Sequence, residues 1–184
     1  MNSQRLSMLS ATAIALLSLN GAAHAGSACS ASLLNGAYGF SAVGQVIGLI
    51  DSAGVHQFVT QLALNNVSLV TFDGSKHFTR IDVGTINGAP KNGVTSFTGA
   101  QSGAYTVNPD CTGTMTIKYD SGVVLGLEIV VTDDARLIKA IIISETVPSV
   151  GPTVDAVNCT TTSCSEAVQV SLEGRKVEAF GFRH

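Results

Sequence analysis

The sequence predicts an all-β protein, most simply an antiparallel up-and-down barrel of about eight strands, with a β-sandwich as the alternative. The composition is rich in glycine and β-branched residues, only 12% of the residues are charged, and tryptophan is absent. Apolar and polar residues alternate along strand-sized segments, as they do in half-buried strands. Turn signals separate these segments at short intervals, and no helical stripe interrupts them.

Short connections between successive strands favour a meander, because a Greek-key sandwich needs long crossings between its sheets. Asp73-Gly74 and Asn87-Gly88 are strong turn signals of this kind. The only long irregular segment, 148–165, precedes the last strand, which we expect to close the barrel against the first. The segments predicted as strands are 36–48, 55–64, 67–72, 77–86, 94–107, 114–119, 123–131, 136–145 and 175–182.

The N-terminus carries the pattern of a secretory signal peptide. Arg5 precedes an apolar run that is too short to span a bilayer, and Ala23-His24-Ala25 matches a cleavage site. Residues 1–25 are therefore predicted to be removed, leaving 26–184 as a single barrel domain that is periplasmic or extracellular. The alternative is a lipoprotein anchored at Cys29, which Gly26 disfavours because an aliphatic residue is expected there.

Charge and motif patterns argue against several classes of function. The net charge is −3 and no basic run occurs, which argues against nucleic-acid binding. No further segment is apolar enough to form an integral membrane helix after cleavage. The cysteines and histidines lack metal-ligand spacing, and no G-x-S-x-G motif is present, so we predict neither a metal nor a cofactor.

The four cysteines predict two disulfides in an exported domain, with three connectivities open. Cys159 and Cys164 are close enough to pair locally, which leaves Cys29 to pair with Cys111. Cys111 lies between two alternating runs in "YTVNPDCTGTMTIKY" and is expected at a hairpin tip, where it would tie the N-terminal tail across the barrel end. A metal site or a reactive thiol is the alternative.

Glu128 is the most unusual titratable residue, because it interrupts an apolar strand. If Asp133-Asp134 form a two-residue turn, Glu128 lies opposite Lys139, and a surface ion pair is the simplest interpretation. In the barrel lumen, its pKa would instead rise and suit an acid or base. Both faces of the hairpin Val123–Ser144 are apolar, so a second subunit, segment 148–165 or an internal ligand is expected to cover it.

A second group of polar and aromatic residues suggests a ligand cavity. Arg80 and Asp82 share one strand face, and Tyr38, Tyr105 and Tyr119 are candidates to line the lumen with them. An exposed strand face has the same pattern, so this alternative stays open.

Three segments resemble a group of small exported bacterial proteins of uncharacterised function: "LLNGAYGFSAVG", "VTFDGSKHFT" and "SGAYTVNPDCTGTMTI". The group is similar to calycin-like barrels such as the allene oxide cyclase barrel. The resemblance covers most of residues 29–146, and it implies a barrel that tends to form oligomers. No catalytic motif of that family can be matched to residues of this chain, so no cyclase activity is carried over.

The leading functional hypothesis is a non-catalytic exported barrel that binds a small apolar ligand or acts in envelope or extracellular interactions. One alternative is a cofactor-free cyclase or isomerase that works in the lumen with Glu128 and Tyr105. The other is a structural surface component, a homo-oligomer assembled through the apolar hairpin Val123–Ser144.

Overall fold

The computed structural model describes residues 28–159 and 163–178, and within them the chain is almost entirely antiparallel β-structure. The predicted signal peptide, residues 1–25, lies outside the described residues. Two 3₁₀ turns, Ala31–Leu33 and Lys91–Gly93, accompany the strands. The strands are β1 Asn35–Asp51, β2 Gly54–Asp73, β3 His77–Ile86, β4 Ala89–Pro90, β5 Thr98–Val107, β6 Thr112–Lys118, β7 Val124–Thr132, β8 Leu137–Val147 and β9 Cys164–Lys176.

Eight of the strands form a closed ring, which confirms the predicted up-and-down barrel. Each strand pairs with its neighbour in sequence, apart from the two-residue β4, which pairs only with the end of β3. The ring closes because β9 pairs with β1, from Tyr38 opposite Lys176 to Leu49 opposite Glu166. Closure leaves no sheet edge within the ring, which is how small antiparallel barrels avoid edge-to-edge association.

The boundaries of two strands differ from the prediction. Segments 55–64 and 67–72 belong to one long strand, β2, because the Asn66 amide faces the interior and finds polar partners there. The last strand begins at Cys164 and ends at Lys176, so the predicted strand 175–182 is wrong in its bounds. Within 163–178, Glu166 and Gly174 occupy inner positions of β9 and weaken the apolar alternation that predicts a strand.

The β7–β8 register also differs from the prediction. Thr132 lies opposite Leu137, so a four-residue loop joins the strands, and Glu128 faces Ile141 instead of Lys139. The loop is longer because Asp133, Asp134 and Ala135 all adopt positive φ, and the buried Ala135 carbonyl accepts a hydrogen bond from the Tyr38 hydroxyl. The shift is of two residues, so the two faces of the hairpin are unchanged.

The inner faces of the strands build a packed apolar core. On β7 and β8, the inner positions are almost completely buried, including Leu127, Ile129 and Ile138. Around Phe72, the rings of Tyr38 and Tyr105 pack edge-on at centroid distances of 5.2 and 5.0 Å. Such edge-to-face pairs stabilise beyond the area they bury. The apolar half of the lumen is therefore filled by side chains of the protein itself.

One end of the barrel, here called the plugged end, is closed by the N-terminal segment. A disulfide joins Cys29 to Cys111 at the β5–β6 hairpin tip, and the Cys29 amide donates to the Pro109 carbonyl at 3.2 Å. The second disulfide joins Cys159 to Cys164. Both predicted pairings are confirmed, and such bridges are typical of an oxidising compartment.

Candidate functional site

The structure separates the residues that the sequence suggested as a catalytic pair. Glu128 is exposed on the outer wall of the barrel, whereas Tyr105 is 2% exposed inside it. The Tyr105 hydroxyl donates to the carbonyls of Ala31 and Leu34 at 2.9 and 3.0 Å. Tyr105 therefore holds the plug in place, and Glu128 lies on the other side of the wall.

Tyr38 is also a structural residue in this arrangement. It is fully buried at the plugged end, and its hydroxyl donates to the Ala135 carbonyl. Desolvation by burial raises the pKa of Tyr38, so the phenol stays protonated as this hydrogen bond requires. Of the three residues suggested to bind a ligand, Tyr38 thus lies away from the other two.

Arg80 and Asp82 lie together in the opposite half of the lumen, and each is only 4% exposed. They follow one another on the inner face of β3, and the Arg80 Nη1 lies 3.3 Å from the Asp82 Oδ2. A buried charge needs a partner and further hydrogen bonds, because desolvation of either ion alone is costly. The exposed-face interpretation of this pair is therefore wrong.

Neighbouring strands supply those hydrogen bonds. From β5, Gln101 donates to Asp82 Oδ1 at 2.6 Å and accepts a bond from Arg80. From β2, the Asn66 amide donates to Asp82 at 2.7 Å and accepts from Arg80 at 3.0 Å. Gln101 reaches the network because the β3–β5 register shifts beside it, where Gly99 adopts a φ of +87°. A fully satisfied network of this kind rigidifies its surroundings.

Two side chains carry the network to the mouth of the barrel. Lys91, from the second 3₁₀ turn, donates to Asp82 Oδ2 at 2.6 Å, and its Nζ lies 5.0 Å from the centre of the Tyr119 ring. The Tyr119 hydroxyl accepts a bond from Arg80 at 2.8 Å. Asp82, Lys91, Gln101 and Tyr119 together line a pocket of about 150 Å³ at this end, here called the polar mouth.

Two carboxyl groups face each other beside the polar mouth. Glu145 on β8 lies opposite Glu166 on β9, and Glu166 is 9% exposed. Glu145 is within electrostatic reach of Lys91 and Tyr119. Among the hydrogen bonds and ion pairs of residues 28–159 and 163–178, none involves either carboxyl group.

A β-bulge places Glu145 inside the barrel. Gly126 pairs with Ser144 and Leu127 with Ile142, so Ile143 is an extra residue of β8. After the bulge, the alternation is reversed, and Glu145 shares the inner face with Leu125. The Ser144 hydroxyl lies close to Gly126, at 2.4 Å from where a Cβ would be, so a larger residue there would require this hydroxyl to rotate.

The environment of these carboxyl groups favours their protonated forms. Desolvation by burial, followed by repulsion from Glu145, raises the pKa of Glu166 to about 7. Burial also raises the pKa of Glu145, although the nearby Lys91 acts in the opposite direction. At neutral pH, Glu166 is thus partly protonated, whereas a glutamate in water is ionised.

The other groups of the polar mouth keep their usual charge. Burial alone would raise the pKa of Asp82, but the attraction of Arg80 and hydrogen bonds from Lys91 and Gln101 outweigh it and lower the pKa. Burial raises the pKa of Tyr119, so its hydroxyl remains a donor. The polar mouth therefore offers a phenol and an ammonium group beside two carboxyl groups whose protonated forms are favoured by burial.

A separate exposed cluster, here called the His56 clasp, joins segment 148–159 to the β1–β2 hairpin. The imidazole Nδ1 lies 2.6 Å from Asp155, and Nε2 lies 3.1 Å from Asp51. Hydrogen bonds to Asp155 and then to Asp51 raise the pKa of His56. The Val154 amide donates to the Gln57 carbonyl at 2.8 Å, so this segment lies against β2 and leaves the outer face of β7 and β8 open.

Two further features were sought among the described residues: a cluster of metal ligands and a membrane-spanning helix. In ranges 28–159 and 163–178, no group of three or more histidine, cysteine, aspartate or glutamate side chains is arranged to hold a metal ion. No helix in this part of the chain is long and apolar enough to cross a membrane.

Comparison with models of known protein families finds no match, and comparison with curated proteins finds none either. The resemblance to calycin-like barrels therefore stays a prediction.

Sequence reasoning found part of this site and missed the rest. The sequence pattern points to Arg80, Asp82 and Tyr119, but not to Gln101, Lys91, Glu145 or Glu166. Glu145 ends a predicted strand, whereas Glu166 lies outside every predicted strand, so no local pattern brings the two glutamates together. Their pairing follows only from the observed strand β9 and the bulge at Ile143.

Proposed function

We propose that this protein is an exported, non-catalytic barrel that binds a small polar molecule at the polar mouth. The observation that carries the proposal is Glu166, which is nine-tenths buried, faces Glu145 and has no hydrogen-bond partner among the described residues. Glu145 lies within electrostatic reach of Lys91 and Tyr119, which line a pocket of about 150 Å³. Export to the periplasm or the cell exterior is supported by the signal-peptide pattern and by the two disulfides.

The chemistry of the polar mouth selects the kind of ligand. The carboxyl groups of Glu145 and Glu166 accept hydrogen bonds from an amine or a hydroxyl group, and the Tyr119 hydroxyl donates to an oxygen. The apolar lumen is filled by core residues such as Phe72 and Met115, so a small apolar ligand has no space there. A small hydroxylated or amine-bearing molecule fits the volume and the donors better.

Native mass spectrometry of the protein purified from its own host tests this proposal. We expect one small molecule per barrel in the wild type and its loss in Glu166→Gln and Tyr119→Phe. Glu128→Gln is the matched control, because it removes an exposed carboxylate from the outer wall and should retain the ligand. A wild-type protein that carries no molecule, or equal loss in all three variants, contradicts the proposal.

Proton-transfer catalysis is a second candidate, and one observation favours it. A pKa of about 7 at Glu166 suits a general acid or base at neutral pH, and Tyr119 is a nearby donor. This replaces Glu128 and Tyr105 in the cyclase or isomerase hypothesis. An isomerase that uses Glu166 loses turnover in Glu166→Gln while its ligand still binds, whereas a binding protein loses the ligand itself.

A further inference from the structure

Segment 148–159, here called the strap, follows β8 and reaches across to β2. Its base is fixed where Val150 pairs with Cys159, and the disulfide from Cys159 to Cys164 ties that base to the start of β9. In the ring, β9 is the neighbour of β8, and β2 lies beyond β9 and β1. The strap therefore extends from its base past two strands before it contacts the barrel again.

The tip of the strap, residues 153–157, is held together by its own hydrogen bonds. The Thr153 amide donates to the Val157 carbonyl at 2.8 Å, and the Ala156 amide donates to the Thr153 carbonyl at 3.0 Å. The Thr153 hydroxyl donates to the Asp155 carboxylate and fixes its orientation. A turn whose backbone groups are already paired keeps its shape without help from its neighbours. The tip can therefore move as a unit about the base.

Two polar contacts join this tip to β2 within the described residues. The Val154 amide donates to the Gln57 carbonyl at 2.8 Å, and Asp155 contacts the His56 imidazole at 2.6 Å. The Val154 side chain is 69% exposed, so it adds little apolar burial. Asp155 is the only charged residue of the strap, so the ionic part of its attachment depends entirely on the His56 clasp.

The geometry of the His56 clasp requires a doubly protonated ring. Nδ1 faces the Asp155 carboxylate, and Nε2 lies 3.1 Å from the Asp51 carboxylate. Carboxylates only accept hydrogen bonds, and a neutral imidazole carries a single N–H, so only the imidazolium donates to both. Loss of one proton leaves a nitrogen lone pair against a carboxylate oxygen.

The surroundings of His56 add no cation that could replace this proton. The charged groups that face the ring are Asp51, at the end of β1, and Asp155, from the strap. The residue paired with His56 on β1 is the apolar Leu49, and Glu166 lies beyond Leu49 on β9. Paired residues of antiparallel strands project to the same face, so His56 belongs to the inner row that contains Glu166.

We propose that the strap is a pH-dependent cover of this end of the barrel, held on β2 by the His56 imidazolium and released when the ring loses a proton. Hydrogen bonds from the two carboxylates raise the pKa of His56, and the pKa of Asp155 is lowered to about 2. The clasp is therefore complete at mildly acidic pH, and it is lost as the pH rises through the raised pKa of His56. Control of access to the polar mouth is a consequence that rests on the proposed function, whereas the movement of the strap does not.

Amide hydrogen exchange measured by NMR at pH 5.5 and pH 8 tests the release of the strap. Each rate is divided by that of an unstructured chain at the same pH, which gives a protection factor. We expect the protection of the Val154 amide to fall by about threefold or more between these pH values. The Thr153 amide, which is bonded within the tip, should keep its protection. A Val154 protection that does not change overturns the proposal, as does an equal fall at Thr153.

Variants assign the change to the clasp. His56→Gln and Asp155→Asn should each give a low protection of Val154 that is the same at both pH values. Asp155→Asn leaves the β1–β2 hairpin unaltered, so it also serves if His56→Gln fails to fold. Persistence of the wild-type pH dependence in either folded variant overturns the proposal.

Two further variants serve as controls. His77→Gln removes another histidine that lies beside an aspartate, at the start of β3 and at the plugged end, and should retain the wild-type pH dependence at Val154. Glu166→Gln should retain it as well, and its loss there would assign the change to Glu166 and overturn the proposal. These measurements need no ligand, so a failure of the strap and a failure of the proposed function are distinguishable.

Discussion

Tyr105 illustrates how one side chain can resemble a functional residue in sequence and act structurally. An alternating run with tyrosine at an inner position suits a ligand cavity or a donor in catalysis. In the folded chain, the hydroxyl satisfies two carbonyls of the N-terminal plug, and the ring packs against Phe72. Buried tyrosines generally find such partners, because an unsatisfied hydroxyl is costly.

We therefore expect Tyr105→Phe to reduce stability without affecting the polar mouth. The change leaves the Ala31 and Leu34 carbonyls without their donor and should lower the free energy of unfolding by about 1–3 kcal/mol. Urea unfolding measures this loss. Thr79→Val, on the outer face of β3, removes an exposed hydroxyl that takes part in no side-chain hydrogen bond of the described residues, and should cost less than about 0.5 kcal/mol. Equal losses in the two variants would contradict the role assigned to Tyr105.

Glu145 shows why the candidate site could be predicted only in part. Arg80 and Asp82 are two positions apart, so a period of two residues places them on one face. The same period places Glu145 on the outer face with Ile141 and Ile143. A single extra residue in β8 reverses this, and no local pattern in the sequence reports a β-bulge at that point.

At the scale of elements, the strands and their order were predictable and several boundaries were not. Tight turns and alternation specify a meander, because sequential pairing is the simplest arrangement that they allow. The loop 133–136 is longer than its Asp-Asp sequence suggests, because Ala135 is held by Tyr38 from another strand. Long-range contacts of this kind decide loop length and register, and they are invisible to a local sequence pattern.

The two disulfides join elements in different ways, and their contributions to stability should differ. Cys29 and Cys111 are 82 residues apart in sequence, whereas Cys159 and Cys164 are 5 apart. A bridge that closes a longer loop restricts the unfolded chain more, so the entropic contributions are about 4 and about 2 kcal/mol. The Cys29–Cys111 bridge also holds the N-terminal plug against the β5–β6 hairpin. The contacts between the plug and the barrel therefore depend on this bridge as well.

We expect the variant with Cys29→Ala and Cys111→Ala to lose roughly twice as much stability as the variant with Cys159→Ala and Cys164→Ala. Urea unfolding of both double variants under non-reducing conditions gives the comparison. The variant that lacks the Cys159–Cys164 bridge is the control, because it also replaces two cysteines by alanine but opens only a short loop. A larger loss from removal of the local bridge would show that segment 148–159 matters more to the fold than the plug does.

For the whole molecule, the groups with shifted pKa values predict an optimum of stability at mildly acidic pH. Asp73 and Asp155 have pKa values lowered to about 2, chiefly by hydrogen bonds from Ser75 and His56 respectively, and stabilise the fold fully once the pH exceeds the ordinary aspartate range. Glu166, Glu145 and His56 have raised pKa values, so their contribution is present at low pH and is lost as the pH rises. The two trends meet near pH 5.

Glu166 should dominate the loss above that optimum. Its pKa rises from 4.5 in the unfolded chain to about 7 in the fold, so the folded state binds more protons in this range. Raising the pH from 5 to 8 should therefore cost on the order of 3 kcal/mol and lower Tm by roughly 10 °C. Scanning calorimetry between these pH values measures the fall.

Two variants assign this fall to the interior of the barrel. Glu166→Gln cannot ionise, so most of the pH dependence between 5 and 8 should disappear, with a small remainder from Glu145 and His56. Glu128→Gln removes a carboxylate of the outer wall and should retain the full dependence. A wild-type Tm that is constant or rises over this range would mean that Glu166 is ionised in the fold. The general acid–base role proposed for Glu166 would then lack its proton at neutral pH.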